Sequence, residues 1–456
     1  MVKIRWFWWL LAAVPAFVGF VSLSFGVGDF RSSGLVVGVG LSLGLVAVLL
    51  LLRRPWRGRK GVSRWLSAVP GLLLGLVGLL GLAAGLPEFL EARGLFIDVD
   101  NVGPRAVVSF DDGYVLVGDD SNGGFVWFSV DGVTWSHVDD PIFDDLDELR
   151  DVIAVEGGLI AVGSDGRGEA VILVSADGLV WSEAGRFGNV EDGTVARAIS
   201  QTGNGFDVIT STIGNDVEFY RSADISSWTV VEPAGVFDDG ESGSDIACGA
   251  ELCVGVGSHD ASYRSDDIAS NIFGTGDETG VAWVDTIGDR YTLVNNDFQA
   301  EQLTEVAAAA IGFVAVGNNH DGHGVAWLSS DGQNWTKITG PFNDMVIDGI
   351  TSTDTNYTIF GRDAEMGDII AWTTNDTEQW GEETVSADSP EGSNIRAMTG
   401  SDGTRLAVGI SSDTLHTIIW TSTNGQNWRH TATLETQPTS QRSRHNRHYL
   451  RFVEPV

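Results

Sequence analysis

The sequence predicts an all-β seven-bladed β-propeller preceded by three transmembrane α-helices. Two observations support this fold class: three long apolar runs open the chain, and a pattern then recurs about every 45 residues. A period of that length is typical of four-stranded propeller blades. We therefore divide the chain into an anchor (1–86), a linker (87–104), a propeller (105–436) and a basic C-terminal tail (437–456) whose composition predicts disorder.

The three apolar runs at the start of the chain predict membrane-spanning helices. They are Trp6–Phe25, Gly34–Leu52 and Leu66–Leu86, and roughly 20 apolar residues cross the hydrocarbon layer as a helix. A cleaved signal peptide is the alternative for the first run, but two further runs directly after it favour a retained anchor. No ionisable residue lies inside a run, which favours an anchor over an ion pathway.

Basic residues in the short loops predict how the chain is oriented in the cell membrane. The loop Arg53–Arg64 carries six Lys and Arg residues, whereas the loop between the first two runs carries one, Arg31. Such loops stay in the cytoplasm when they are rich in Lys and Arg. We expect a multi-pass membrane protein with a cytoplasmic N-terminus and an extracytoplasmic C-terminal domain.

Charge is divided unevenly between the two parts of the chain. Residues 1–86 hold nine of the 27 Lys and Arg residues but only one of the 62 acids, Asp29. The part that follows is therefore strongly acidic. Nucleic acid is not a predicted partner, because phosphate binding needs a basic surface.

Two motifs mark each repeat of the outer part. The first is an apolar run that ends in glycine, as in YVLVG, and it predicts the second strand of a blade. It ends at Gly118, Gly163, Gly257, Gly317, Gly361 and Gly409, whereas the third repeat has FDVITS, ending at Ser211. The second motif follows the first in every repeat, and its clearest copy is WLSSDGQNW (Trp327–Trp335).

The second motif predicts a tight hairpin between the third and fourth strands. Trp327, Ser329 and Asp331 alternate along one strand and so face the same way. An Asp-Gly pair then supplies the turn, and Trp335 packs back across the hairpin. The fourth copy is degraded, with Asp285 in the Ser position and Tyr291 in the Trp position. The predicted structural residues are Ser129, Asp131, Trp135, Ser175, Asp177, Trp181, Ser222, Asp224, Trp228, Ser329, Asp331, Trp335, Asp376, Trp380, Ser422 and Trp428.

This motif resembles a shortened Asp-box, or BNR-type, repeat of the sialidase-like propeller superfamily, over roughly residues 105–434. The usual Asp-box has one more residue between Asp and Gly. The resemblance implies that the box is structural and lies away from any catalytic face. A sialidase would also need clustered arginines, a Tyr nucleophile with its Glu, and an acid Asp. The Arg-Ile-Pro signature is absent, and the propeller's arginines show no repeated placement that would converge on the axis, so no catalytic residue is predicted.

The two cysteines, Cys248 and Cys253, bracket the first hairpin of the fourth blade. In an exported domain such a pair predicts a disulfide. A redox site is the weaker alternative, because the spacing is not Cys-x-x-Cys.

Loops between second and third strands, and loops between blades, are expected on one face, opposite the Asp-Gly hairpins. These loops are rich in acids, and an insertion, Ser258–Gly280, extends one of them. The candidate ligand residues are His259, Asp266, Asp267, His320, Asp321 and His323. No metal or cofactor is predicted, although a divalent cation at His320, Asp321 and His323 stays open as an alternative.

Two functions are compatible with these features. The first is a binding or scaffold module of the cell envelope, with a protein or glycan partner on the acidic loop face. The second is a membrane-tethered glycoside hydrolase or lyase. The motifs are structural, which favours the first.

Overall fold

The chain divides into two units, residues 1–101 and 102–456. The computed structural model describes much of the second unit, namely residues 102–111, 113–188, 190, 193–212, 216–231, 240–260, 278–285, 290–294, 296–298, 302–363, 368–385, 393–401, 404–411, 414–423 and 427–435. The three predicted spans, the C-terminal tail, Asp266 and Asp267 lie outside the described residues. None of the segments described contains a helix that is long and apolar enough to cross a membrane.

The described residues form seven four-stranded antiparallel sheets, each in simple sequence order. Blade 1 contains β1 (Gly103–Phe110), β2 (Gly113–Asp120), β3 (Gly123–Ser129) and β4 (Ser136–His137). Blade 2 contains β5 (Leu146–Val155), β6 (Gly158–Asp165), β7 (Ala170–Ser175) and β8 (Ser182–Phe187). Blade 3 contains β9 (Val195–Thr202), β10 (Gly205–Ser211), β11 (Val217–Ser222) and β12 (Thr229–Val230). Blade 4 contains β13 (Glu241–Cys248), β14 (Cys253–Asp260), β15 (Glu278–Asp285) and β16 (Thr292–Leu293).

The remaining three blades follow the same plan. Blade 5 contains β17 (Gln302–Ala309), β18 (Gly312–Asn318), β19 (Gly324–Ser329) and β20 (Thr336–Ile338). Blade 6 contains β21 (Val346–Ser352), β22 (Tyr357–Arg362), β23 (Ile369–Thr374) and β24 (Gly381–Thr384). Blade 7 contains β25 (Ser393–Ser401), β26 (Thr404–Ser411), β27 (Thr417–Ser422) and β28 (Trp428–Leu434). Short 3-10 turns, Pro141–Asp145 and Pro341–Asp344, precede blades 2 and 6.

The first strands of the blades form the inner ring of the propeller. Each first strand contacts the first strand of the next blade, and β25 contacts β1. This closes the ring, and the predicted all-β seven-bladed propeller is confirmed. Every blade is made of four consecutive strands, so blades 7 and 1 share no strand. They meet by packing, with a hydrogen bond from the Ser109 N–H to Thr399 Oγ1 (3.3 Å).

The core consists of apolar layers between neighbouring blades. One layer joins Val115 and Val117 of β2 to Leu149 of β5 and Leu159 of β6. Second and third strands are covered on both faces, which explains why they appear in the sequence as nearly continuous apolar runs.

A β-bulge near the start of each first strand explains the glycine that ends the second-strand motif. In blade 5 the register shifts between Leu303 and Glu305. As a result, a Cβ on Gly317 would overlap the carbonyl oxygen of Gln302. The same overlap would arise in the other blades that carry the glycine. In blade 3 the corresponding residue is Thr210, which pairs with Ala196, and not Ser211 as the motif alignment suggested.

The strand order also defines the two faces of the propeller. Because neighbouring strands are antiparallel, the loops between second and third strands and the loops between blades emerge together. We name this side the loop face. The hairpins between third and fourth strands lie on the opposite side, the hairpin face.

Candidate functional site

The bulges place one extra residue of each blade on the inner ring, near the loop face. These seven residues are Arg105, Arg150, Arg197, Ser244, Thr304, Asp348 and Arg396. Four of them are arginines, from blades 7, 1, 2 and 3, and we name these four the axial arginines. The prediction that the propeller's arginines show no repeated placement was therefore wrong.

The sequence contains a signal for this ring that the motif analysis missed. Each of the seven residues lies thirteen positions before the glycine of the second-strand motif, or before Thr210 in blade 3. The interval is constant because the bulge and the glycine oppose each other across the first hairpin. A count back from the glycines would have aligned the arginines.

Three axial arginines differ in how their charge is neutralised. Arg105 Nε donates to Asp119 Oδ1 (2.7 Å), and both side chains are nearly buried. Arg150 forms an ion pair with Glu148, while its buried Nε has no hydrogen-bond partner among the described residues. Arg197 donates through Nε to Ser211 Oγ (2.5 Å) and forms no ion pair with any side chain in the described segments.

The charges of these arginines act on one another across three blades. Burial lowers the pKa of Arg197 to about 10, and the positive charges of Arg150 and Arg105 contribute to the decrease. Burial alone would raise the pKa of Glu148, but Arg150, Arg197 and Arg105 bring it below its ordinary value. Because blades 1, 2 and 3 all contribute, the guanidinium groups converge toward the axis.

A second layer of acids lies one position further along the inner strands. Asp151, Asp245 and Glu305 follow the bulge residues of blades 2, 4 and 5. Each accepts a hydrogen bond from a backbone N–H of the next blade's first strand; for Asp245 the donor is Val306 N, at 2.8 Å. Burial raises the pKa of all three carboxyl groups. These acids join blades, and both carboxylate oxygens of Asp151 and Asp245 accept backbone hydrogen bonds.

The axial arginines have the chemistry of an anion site. Asp119 is paired with Arg105 and Glu148 with Arg150, whereas Arg197 forms no ion pair in the described segments. Guanidinium groups bind carboxylates through paired, charge-assisted hydrogen bonds. Arg197 is already oriented by Ser211, and the partial removal of water strengthens each electrostatic contact. The arrangement is suited to one carboxylate group.

Of the predicted ligand residues of the loop face, the four that the structure describes form no group of metal-ligating side chains. His259 lies opposite Glu241 in blade 4, and its buried Nδ1 has no hydrogen-bond partner in the described segments. His320, Asp321 and His323 occupy a loop of blade 5, where Asn319 Oδ1 accepts hydrogen bonds from the N–H groups of Asp321 and His323. This geometry is a turn organised by Asn319.

The disulfide predicted between Cys248 and Cys253 is present, and it closes the hairpin of β13 and β14. Within the described segments, the only metal-ligating side chains that gather in a group of three are Asp207, Cys248 and Cys253, with ligand atoms within 4.8 Å of one another. Since both sulfurs are in the disulfide, this group does not offer a metal site.

The predicted box residues lie on the hairpin face and bond to their own hairpins. In blade 5, Asp331 Oδ1 accepts hydrogen bonds from the N–H groups of Gln333 (3.0 Å) and Asn334 (2.8 Å). These bonds lower the pKa of Asp331 to about 2. Trp335 Nε1 donates to the carbonyl of Gly332 (2.9 Å).

Four further copies repeat the contacts of the Asp, and three of these also repeat the contact of the Trp. Asp131, Asp177, Asp224 and Asp376 each accept two backbone N–H groups, and Trp135, Trp181 and Trp228 each donate to the carbonyl three residues earlier. Ser129, Ser175, Ser222 and Ser329 donate to the Asp of their own copy. Trp380 packs edge-on against Phe342, while Ser422 and Trp428 are buried.

The degraded fourth copy is replaced by a buried network between blades 3 and 4. Tyr291 OH donates to Asp207 Oδ2 (2.7 Å), and Arg221 Nη2 bridges Asp207 and Asp285 at 2.5 Å each. Tyr291 is fully buried and stacks on Phe219. Burial raises the pKa of Tyr291 well above its ordinary value. A nucleophilic tyrosine needs the opposite shift and access to substrate, so this network is structural.

Comparisons with known proteins concern the fold. No family model and no curated protein matches the chain. A solved structure of YCF48 bound to D1 peptide is similar at 16% identity and a TM-score of 0.47, covering 75% of this chain and 94% of that one. The Aleuria aurantia lectin, a six-bladed propeller, is similar at 12% identity and 0.41, covering 75% and 99%. The propeller domain of the Trilobed protease from Pyrococcus furiosus is similar at 8% identity and 0.45, covering 73% and 98%.

Proposed function

We propose that this protein is a membrane-anchored, extracytoplasmic binding module of the cell envelope, and that its axial arginines receive a carboxylate of a protein partner. The observation that carries the proposal is Arg197. It is a largely enclosed guanidinium, held by Ser211 Oγ, with no ion pair in the described segments. Placing such a cation near Arg105 and Arg150 is unfavourable unless an anion completes the site.

The surroundings of the site favour one kind of carboxylate. Exposed acids occupy the loop face around the axial arginines; they include Asp139, Asp144, Asp145, Asp321, Asp344 and Asp368. A polyanionic glycan would place further negative charges against this rim. A protein C-terminus brings a single carboxylate to the axis, and basic residues before it contact the rim favourably. We therefore favour a C-terminal peptide with basic residues over an acidic glycan.

The glycan-cleaving alternative receives less support. The group of Tyr, Arg and carboxylates that such an enzyme needs is present at Tyr291, Arg221, Asp207 and Asp285, but it is buried on the hairpin side of blades 3 and 4. The hairpin hydrogen bonds support placing the chain among Asp-box propellers, which is part of the proposal, and in that group the boxes are structural.

A peptide titration tests the carboxylate site. The probe is acetyl-Gly-Lys-Gly-Lys-Gly-Ala with a free C-terminal carboxylate, titrated into the full-length protein in mild detergent at low salt. We expect the C-terminal amide to bind at least about tenfold more weakly, because a charge-assisted hydrogen bond contributes roughly 1.5–3 kcal/mol. Arg197→Gln should weaken binding of the free acid by about 10- to 100-fold.

The control for this titration is Arg429→Gln, which removes an exposed arginine of the outer strand β28. It should bind the free acid as the natural protein does. Equal affinity for the acid and the amide, or an unchanged affinity in Arg197→Gln, contradicts the carboxylate site.

The proposed location of the acidic domain outside the cytoplasm rests on the sequence alone, and protease treatment tests it. The basic loop Arg53–Arg64 supports a cytoplasmic side for the anchor loops. In wall-stripped, intact cells, an external protease should degrade residues 87–456 and leave a cytoplasmic marker protein intact. Protection of the acidic domain until the cells are lysed contradicts the proposed orientation.

A further inference from the structure

Asp119 is the carboxylate partner of Arg105. It lies at the end of β2, directly across the first hairpin from the bulge of β1. Its Oδ1 accepts a hydrogen bond from Arg105 Nε at 2.7 Å, and the two side chains are only 9% and 12% exposed. The site thus contains internal anions on Arg105 and Arg150, while Arg197 forms no ion pair in the described segments.

The groups that face Asp119 come from the strands packed against β2. These are β1, β3 and β5. β3 has no titratable residue, and the charged residues of the other two strands are Arg105, Asp147, Glu148, Arg150 and Asp151. Burial raises the pKa of Asp119 to about 6, even though Arg105 and Arg150 oppose the increase. The balance between burial and these two arginines therefore sets the protonation of Asp119.

A bound carboxylate changes the balance around Asp119. It would add a third negative charge to those of Asp119 and Glu148 beside Arg105 and Arg150, and like charges in a poorly hydrated site disfavour the ionised form of an acid. Ionised Asp119 would also compete with the ligand for the guanidinium group of Arg105. Both effects are removed when Asp119 takes a proton from water, since the neutral carboxyl group repels no anion.

We propose that Asp119 is an internal counter-ion which becomes protonated when a carboxylate binds, so that ligand binding at the axial arginines is coupled to the uptake of one proton. This inference rests on the proposed carboxylate site. The inference also states how pH affects binding at that site: the module binds its partner more tightly in acidic surroundings and releases it as the pH rises.

The test measures peptide affinity and proton uptake together. Acetyl-Gly-Lys-Gly-Lys-Gly-Ala is titrated calorimetrically into the full-length protein from pH 5 to pH 8. The peptide carboxylate is ionised throughout, because a chain-terminal carboxyl has a pKa of roughly 3.5. We expect the Kd to rise by up to about tenfold per pH unit above pH 6. At pH 7, titrations in two buffers with different ionisation enthalpies should show uptake of a substantial part of one proton.

Asp119→Asn supplies the matched variant, because its amide oxygen still accepts from Arg105 but cannot take up a proton. It should bind the peptide more tightly than the natural protein at pH 8, with little change in Kd between pH 6 and pH 8 and no proton uptake. Asp120→Asn, at the adjacent position, should keep the natural pH dependence.

The outcomes separate this inference from the proposed function. If the peptide binds no more tightly than its amide at any pH, the carboxylate site itself is wrong. If the free acid binds selectively but with a constant Kd and no proton uptake, the carboxylate site stands and the role of Asp119 is overturned. The proton count of the natural protein decides this even if Asp119→Asn fails to fold.

Discussion

Asp245→Asn should remove a pH-dependent contribution to the stability of the propeller. Asp245 accepts hydrogen bonds from its own strand at Ile246 N and from the next blade at Val306 N, both at 2.8 Å. Burial raises its pKa from 3.8 to about 7, the Val306 hydrogen bond opposes this, and the charge of Asp151 adds to the increase. The side chain joins blades 4 and 5 beside the axis.

The direction of the pH dependence follows from which state, folded or unfolded, binds the Asp245 proton more tightly. Between about pH 4 and pH 7, the folded state holds the Asp245 proton and the unfolded state has released it. The free energy of unfolding therefore falls as the pH rises through this window, and the contribution is lost above pH 7. A separation of about three pH units corresponds to at most about 4 kcal/mol, of which roughly 2–3 kcal/mol is lost between pH 5 and pH 8.

Urea unfolding at several pH values between 5 and 8 measures this effect. Asp245→Asn should reduce the loss of stability over that range by roughly 2–3 kcal/mol. At pH 5 the variant should be less stable than the natural protein, because the amide nitrogen cannot accept one of the two N–H groups and leaves it unsatisfied, at about 1–3 kcal/mol. Asp321→Asn, on an exposed loop, is the control and should keep the natural pH profile. If the free energy of unfolding of Asp245→Asn falls with pH as steeply as that of the natural protein, Asp245 is not the source of this pH dependence.

Two further predictions concern the framework of the blades. Trp335→Ala should lower the free energy of unfolding by roughly 3–5 kcal/mol, since Trp335 packs on Phe298. The folded variant should bind the peptide probe normally. A selective loss of binding would instead show that the hairpin is part of a binding site. Gly317→Ala should cost more than about 2 kcal/mol in urea unfolding, because the new Cβ would overlap the Gln302 carbonyl. Gly400→Ala, which meets only ordinary contacts, should stay within about 1 kcal/mol, and equal losses in both glycine variants would contradict the bulge argument.

The features that repeat in the sequence were the ones that could be predicted from it. The number of blades, the hairpin turns and the disulfide follow from residues whose spacing is set by local backbone geometry, such as Asp331, Gly332 and the cysteine pair. Blade 3 was misaligned by one position at its second strand because Thr210 replaces the glycine that marks the other blades. Only the pairing of Thr210 with Ala196 shows the correct register.

The axial arginines can be aligned by counting back from the glycines, but that interval does not show that their side chains lie near one another. Arg105, Arg150, Arg197 and Arg396 are far apart in the chain, and a bulge leaves no residue type that marks it from its own strand. The proximity of Arg105, Arg150 and Arg197 depends on the packing of blades 1, 2 and 3 side by side. The pairing of Arg105 with Asp119, and the absence of an ion pair at Arg197 within the described segments, depend further on side-chain placement and therefore became visible only in three dimensions.

Closure of the ring without a shared strand has a consequence for how the propeller is made during synthesis. Each blade pairs only with itself, so its hydrogen bonds span short stretches of chain and can form as soon as its own four strands have left the ribosome. Blades 2 to 6 then need only the preceding blade as a packing partner. The contact of β1 with β25 joins the most distant segments of the ring and must form last. Substitutions that weaken the packing of β1 against β25 should leave the blades formed but the ring open. Folding of the whole propeller should then be slower, while its secondary structure is kept.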